Sequence, residues 1–443
     1  MDAFIPLVLL VAFSLLGVLL GTITGLVPGF HPNNVALIFL SLSPLIISEL
    51  HFLNAFVPSE TILLFVAATI LAASVAHTFL SFIPAAFIGA PEGDTALCLL
   101  PAHRLLLEGR AYEATVISAI GSFGAVIFSF IFFTPFYFIF AAPFHLYDII
   151  QNYLLYILIG ISALLILTES FSERMEAYQA VILSSFVFIL SGVFGYVVLN
   201  MPVRSSMLFP ALTGLFGLST LLYSLFYTPE IPEQMIAEPV TEKSDFVKSV
   251  VSGSTCGAIV SFLPGITSAH ATVMAMLARR TREPEQVIMT LSCVNTANVI
   301  FCLATLFLIS RARSGATIAI NRILPVHAWT ELVPPLALIY LLIAVLTAAS
   351  VSFFVTKYMG KQFSLMFVKI PYRKMLSGIV IFLAVMVFLL NGILGVLVLA
   401  VATCIGLIPI YFGVRRSNCM GVIMLGFKSF YMQIKLITQS KPA

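Results

Sequence analysis

Two arginines one residue apart, Arg311 and Arg313, and two carboxylates one residue apart, Glu92 and Asp94, stand out in a chain with almost no other charge around them. A guanidinium is a planar fork that matches a carboxylate or phosphate, so the arginines read as ligands for an anion or as a solvated loop. Glu92 and Asp94 lie between apolar segments, where an ionisable group is costly enough to mark function. They read as ligands for a coupling cation or as a loop at the membrane interface. Asn295 and Asn298 fall one helical turn apart. Both amides then face either one cavity or a neighbouring helix that they hydrogen-bond. His31, His77 and His270 each lie near a motif and are able to shuttle a proton, with hydrogen-bonded packing as the alternative.

The elements that would position these groups are two interrupted helices. Leu26-Val27-Pro28-Gly29-Phe30-His31-Pro32-Asn33-Asn34 returns later as Phe262-Leu263-Pro264-Gly265-Ile266-Thr267-Ser268-Ala269-His270. Proline has no N–H and glycine tolerates positive φ, so Pro28-Gly29 and Pro264-Gly265 each break a helix. Asn33 or Asn34, and Thr267 or Ser268, are suited to cap the helix that restarts. Such a break is tolerated in a membrane only where it faces protein or a wet cavity. The restarting helix also aims free N–H groups and its positive dipole end at that cavity, which suits an anion. Pro28, Gly29, Asn33, Asn34, Pro264, Gly265, Thr267, Ser268, Asn295, Asn298, Arg311 and Arg313 are therefore the candidate substrate-binding residues, with Glu92 and Asp94 for the coupling ion.

Composition places both breaks in a membrane. Sixty per cent of residues are apolar and nine per cent charged, against roughly 25% charged in soluble domains, and the mean hydropathy is +1.10. Runs such as Val116 to Ala142, Val181 to Leu199 and Leu336 to Val355 are long enough to cross about 30 Å of hydrocarbon as helix. Period-two alternation is absent, which excludes a barrel. Met1-Asp2-Ala3 offers no basic region ahead of the first apolar run, so that run is expected to remain in place. The six scattered cysteines suggest neither disulfides nor a zinc site.

The chain divides into a first transmembrane unit (1–227), an acidic linker (228–245), a second unit (246–415) and a basic amphipathic tail (416–443), expected on the cytoplasmic leaflet. Positive clusters at Arg104 and Arg110, at Arg279-Arg280 with Arg282, at Lys357 to Lys374 and at Arg415-Arg416 are expected in the cytoplasm. The Asn391-Gly392 hairpin is expected outside. Four spans after Arg110 return the linker to the inside. Residues 246–277 then enter and leave on one side, and the same count puts the first Pro-Gly hairpin on the other. The expected fold is an all-α polytopic membrane protein of two inverted-topology repeats, each with a Pro-Gly-broken, re-entrant helical hairpin, and about ten to twelve membrane segments. The alternative at each break is an ordinary span with a kink.

The order Ser81-x-Ile83-Pro84-Ala85, Pro91-x-Gly93, Leu100-Pro101 and Gly109-Arg110-Ala111 resembles the first repeat of the TctA-type permeases, the large membrane subunit of tripartite tricarboxylate transporters. The two Pro-Gly turns, the Asn295-x-x-Asn298 pair and Leu208-Phe209-Pro210 leading to Gly214-Leu215-Phe216-Gly217 resemble that family as well. The resemblance covers most of residues 15 to 330. It implies cation-coupled uptake of organic anions, with a small membrane subunit and a binding-protein partner in the bacterial systems. The chain departs from the bacterial pattern at Pro91-Glu92-Gly93-Asp94 and at Arg311 to Gly315, and the family's usual C-terminal spans are not evident after Lys374. It resembles most the stand-alone archaeal members, so the resemblance does not by itself imply dependence on a binding-protein partner.

Three function classes follow. The first is a permease in the cell (plasma) membrane for a di- or tricarboxylate-like anion, with Na+ or H+ as coupling ion and no other cofactor or metal. Its expected partners are the lipid bilayer, the small anion and a second copy in a homodimer, and nucleic acid is not among them. The second is a flippase for polyprenyl-phosphate lipid carriers, in which the lipid phosphate replaces the carboxylate. The third, an intramembrane enzyme, rests on Tyr147-Asp148 and Gly93-Asp94, but their order is reversed from the protease motif and residue 91 is Pro where that motif has Gly. The chain is not expected to be an enzyme.

Overall fold

The computed structural model describes residues 4–27, 32–88, 99–141, 144, 146–167, 169, 176–202, 207–226, 232–263, 268–279, 283–326, 328–329, 333–367 and 372–425. Among them every regular element is helical. The α-helices are α1 (Phe4–Leu26), α2 (Pro32–Glu49), α3 (Ser59–Leu80), α4 (Phe82–Ile88), α5 (Leu99–Leu107), α6 (Ala111–Phe140), α7 (Leu146–Leu167), α8 (Ala177–Leu199) and α9 (Leu208–Leu212). They continue with α10 (Ser219–Phe226), α11 (Lys243–Phe262), α12 (Ser268–Arg279), α13 (Pro284–Ile309), α14 (Gly315–Ile323), α15 (Leu336–Phe367), α16 (Tyr372–Phe412) and α17 (Gly421–Met424). Among the described residues, eight stretches are long and apolar enough to cross a membrane, α3 with α4 and α9 with α10 counting as one each.

The sequence dictates the closest contacts. Lipid tails are as apolar as leucine, so helices in a membrane associate through van der Waals packing at small residues. Gly17 and Gly21 of α1 lie on the backbone of α3, where a methyl group would strike the carbonyl oxygens of Thr69 and Ala73. Gly253 and Gly257 of α11 lie in the same way on α13, a methyl group meeting Thr290 O at 2.6 Å and Val294 O at 2.5 Å. The spacing of 236 that relates Gly17 to Gly253 and Gly21 to Gly257 therefore joins residues in equivalent packing. Numbers rise together along both members of each pair, so α1 runs parallel to α3 and α11 parallel to α13.

Two long helices lock the halves together. α6, from the first half, packs along α13 and α11, while α15, from the second, packs along α3 and α1. α6 runs parallel to α13: Arg110 pairs with Glu285 (2.7 Å), Ser118 hydrogen-bonds Ser292 (2.8 Å) and Phe133 stacks near Phe301. α6 and α15 run antiparallel, Gly360 resting on Thr115 and Phe353 on Phe123.

The second broken element closes as a hairpin. Arg279, the last residue of α12, donates to Ser249 near the start of α11 and to Gln286 at the start of α13. The first returns likewise, because α3 starts again level with the early part of α1, where Phe13 stacks on Phe65. α2 begins at Pro32, one residue ahead of Asn33; proline suits a first helical position because its missing N–H would be unsatisfied there anyway. Pro28, Gly29 and His31, and Pro264, Gly265 and Thr267, lie outside the described residues, as do Glu92, Asp94, Arg280 and Arg282.

The basic groups Arg110, Arg279 and Lys357 share one face. Arg279 approaches Asp245 (3.6 Å) and Lys357 pairs with Glu238 (2.8 Å). The linker is strapped to this face: Met235 N donates to Gly109 O (2.8 Å) and Gln234 Nε2 to Leu106 O (3.0 Å). Arg416 departs from the pattern. It reaches inward to the carbonyls of Leu215 and Phe216, in a π-helical turn (Thr213–Leu218) at the middle of the α9–α10 span. Such a turn leaves backbone acceptors displaced from the α pattern. Residues 416–422 pack on α8, Gly421 against Phe188 O and Val422 against Gly195; residues 426–443 of the tail lie outside the described residues.

One expectation is corrected. Apolar spans do follow Lys374: Leu376–Phe412 is interrupted only at Gly392, where φ is 65°. A straight helix would separate Val387 from Gly395 by about 12 Å, yet a methyl group on Gly395 would lie 3.3 Å from Val387 Cγ1. The chain turns back at Asn391-Gly392, and α16 is two antiparallel helices. The interruption is short enough that the apolar run reads as continuous.

Replacing Gly21 or Gly257 by alanine is expected to cost about 1–3 kcal/mol through overpacking against backbone. Gly378→Ala, with nothing within 4 Å of the added methyl, should leave stability unchanged or raised. Thermal unfolding of the purified protein in detergent distinguishes the two.

Candidate functional site

The polar groups collect where α3 and α13 cross. Thr78 Oγ1 and Thr296 Oγ1 are 3.3 Å apart, joining the two halves side chain to side chain. Thr296 is at the midpoint of α13, so the crossing lies deep in the bundle. Asn295 is buried beside it and Asn298 follows one turn later, its Oδ1 3.7 Å from Cys302 Sγ. Polar side chains in this setting hold helices together and mark sites that bind.

His77 is buried on α3, its Nδ1 3.2 Å from Thr24 Oγ1 at the last turn of α1. Thr24 is two residues from the end of that helix, so His77 lies beside the first break. The glycine register gives it a counterpart: Thr69 and Ala73 correspond to Thr290 and Val294, a shift of 221, and the same shift takes His77 to Asn298 and Ser74 to Asn295.

Arg313 lies at the second break. Its Nη2 donates to Tyr147 Oη at the start of α7 (2.7 Å) and to Phe262 O at the end of α11 (3.3 Å), and the guanidinium lies 5.7 Å from the Tyr147 ring centroid. Its Nε is buried and has no hydrogen-bond partner among the described residues. The backbone next to it is fixed by a capping box, in which Ser314 Oγ accepts from Thr317 N and Thr317 Oγ1 accepts from Ser314 N. Ser310, φ 51°, ends α13 in the left-handed region and turns the chain into this segment.

Arg311 is exposed and does not share Arg313's surroundings. Ser268 is buried at the first position of α12. Asn33 and Asn34 lie in the first turn of α2, with their side chains outside the described residues, as are those of Asp148 and His270. Sequence does not single out Thr24, Thr78 and Thr296, and Tyr147 enters it only through the protease-like Tyr147-Asp148 pair. A Thr in an apolar helix gives no signal of its own, though the four-residue spacing of Gly17, Gly21 and Gly25 is a signal that could have marked the face carrying Thr24.

A second charged cluster lies in the lobe of α8 to α10 and α16. Glu169 Oε1 accepts from Arg415 N (3.1 Å) and Asn418 Nδ2 (3.3 Å), which pins the chain that follows α16.

An uncharacterized protein of the archaeon Methanocaldococcus jannaschii is 28% identical over 432 residues, which is 93% of this chain and 96% of the relative. No solved structure matches the chain. The model of the tripartite tricarboxylate transporter TctA family matches residues 11–421, spanning both broken elements, the crossing and the α16 hairpin. The chain belongs to the TctA family and is a multi-pass membrane protein of the tricarboxylate-transporter type.

Proposed function

We propose that the protein is a secondary permease of the cell membrane that carries an organic anion of the di- or tricarboxylate class, coupled to Na+ or H+, through a site between its two helix breaks. Family membership supports transport. The observation that carries the anion is Arg313, a guanidinium held against the last carbonyl of α11 with its buried Nε–H unpartnered among the described residues. In a low-dielectric interior a positive charge beside broken backbone favours an anionic ligand. The buried Asn295 and Thr296 at the α3–α13 crossing and the buried Ser268 are the further polar candidates, and Glu92 and Asp94 remain candidates for the coupling ion.

Two inverted repeats are part of the proposal. They are supported by α1, α3 and their partner α15 running against α6, α11 and α13, with α15 meeting α4 end to end at Phe87 and Phe363. Repeats of opposite orientation meeting near mid-membrane suit alternating access. Tripartite partners of the bacterial kind are not required by this reading.

Uptake of radiolabelled citrate into proteoliposomes tests the anion. Arg313→Gln should lower the rate about tenfold or more, the worth of a lost charge-assisted hydrogen bond, whereas Arg311→Gln should stay within about twofold, as an exposed charge contributes little. Equal effects of the two substitutions would remove Arg313 from the site. Flipping of a polyprenyl phosphate without citrate uptake would assign the guanidinium to a lipid phosphate instead.

Orientation is tested separately with single cysteines at Phe4 and Lys243 in a cysteine-free background. An impermeant thiol reagent added outside intact cells should label the first and spare the second; labelling of both from one side contradicts inversion.

A further inference from the structure

We propose that Tyr147 is a substrate-binding residue whose phenol proton, together with the Nε–H of Arg313, forms a two-donor subsite for one carboxylate of the transported anion at the second helix break. The proposal deepens the transport reading above and rests on it for uptake, whereas binding of a carboxylate by this pair does not depend on it.

The direction of one hydrogen bond carries the argument. A guanidinium has five donors and no acceptor, so in the 2.7 Å contact Arg313 Nη2 donates and Tyr147 Oη accepts. The phenol therefore keeps its own proton for another acceptor, and it makes no other hydrogen bond among the described residues. Tyr147 is only 7% exposed, which leaves that proton little access to water, and a buried hydroxyl is stable where it finds a partner. On the arginine, both protons of Nη2 are engaged, by Tyr147 Oη and by Phe262 O, while the buried Nε–H is unpartnered among the described residues. Nε and Nη2 are bonded to the same carbon, so an oxygen taken up at Nε–H lies beside the phenol that Nη2 holds.

The charge balance points to the same ligand. Arg104, Arg110, Arg279 and Arg415 each approach a carboxylate of the chain. Arg313 approaches none among the described residues, and Phe262 O offers it the dipole of a carbonyl in place of a full negative charge. An ionised carboxylate is acceptor-only and carries the missing charge, so it suits two donors of which one is cationic. Both donors are in place before a ligand arrives. Tyr147 is the second residue of α7, Arg313 N donates to Thr317 Oγ1 (3.1 Å) at the start of α14, and the guanidinium lies 5.7 Å from the Tyr147 ring centroid. Groups already ordered lose less freedom on binding.

The full-length protein in nanodiscs, with Tyr147 replaced by fluorotyrosine, provides the test. Sodium formate, the smallest carboxylate, should move the fluorine NMR signal saturably, and Arg313→Gln should abolish that movement at the same formate concentrations. A signal that formate leaves in place, or moves equally in Arg313→Gln, overturns the proposal. Saturation by methyl phosphate but not by formate also overturns it, assigning the pair to a phosphate. In proteoliposomes Tyr147→Phe, which keeps the ring, should raise the KM for citrate about tenfold, the worth of one hydrogen bond to a charged group, with kcat within about twofold. A phenol that only supports the arginine would, once removed, free an Nη2 proton for the anion and leave KM unchanged or lower, and that result refutes the binding role. If wild type moves no citrate, the transport reading fails for that anion, and the formate titration still decides whether Tyr147 and Arg313 bind a carboxylate.

Discussion

Backbone pressed directly on backbone is the contact from which the remaining architecture follows. Gly17 and Gly21 on α3, and Gly253 and Gly257 on α13, bring each pair of axes closer than any side chain would allow. In lipid, where the hydrophobic effect does not drive helices together, close approach is a main source of attraction. Because the paired helices are parallel, each needs a return element between them. The Pro-Gly segments lie at the start of those returns.

The pairs also set where polar groups can meet. With α1 held to α3 and α11 held to α13, the crossing of α3 over α13 brings Thr78 to Thr296 in the interior. The exchange of α6 and α15 between halves encloses that crossing. Tyr147, from α7, reaches the end of α11 only because α6 has carried the chain across the second half first. The candidate residues thus come from both halves of the chain, so a shift of one half against the other would move them relative to one another.

The lobe formed by α8 to α10 and α16 is built on the same rule with a different device. Gly214 and Gly406 allow α16 to approach the π-helical turn, and Arg416 covers carbonyls that the turn displaces. A guanidinium that reads in sequence as part of a cytoplasmic cluster serves here as a cap for irregular backbone. The guanidinium supplies donors to carbonyls that would otherwise be unsatisfied in a low-dielectric interior, and those carbonyls offset part of the cost of burying its charge.

The sequence by itself determined the membrane class, the helical content and the two interruptions between helices. Each depends on composition or short-range pattern: too few charges for a soluble surface, apolar runs of spanning length, and Pro-Gly inside them. The Asn391-Gly392 turn was legible for the same reason, although the spans it joins were not. Tertiary structure alone decided which polar groups are neighbours. Arg311 and Arg313 are equivalent on paper, yet one is exposed and the other bonds Phe262 O, because a left-handed Ser310 and a capping box orient the strand between them. Thr24 and His77 lie 53 residues apart, and Thr78 and Thr296 lie 218 apart. Side-chain direction around such a contact is fixed by helix packing across the whole bundle, which no local pattern encodes.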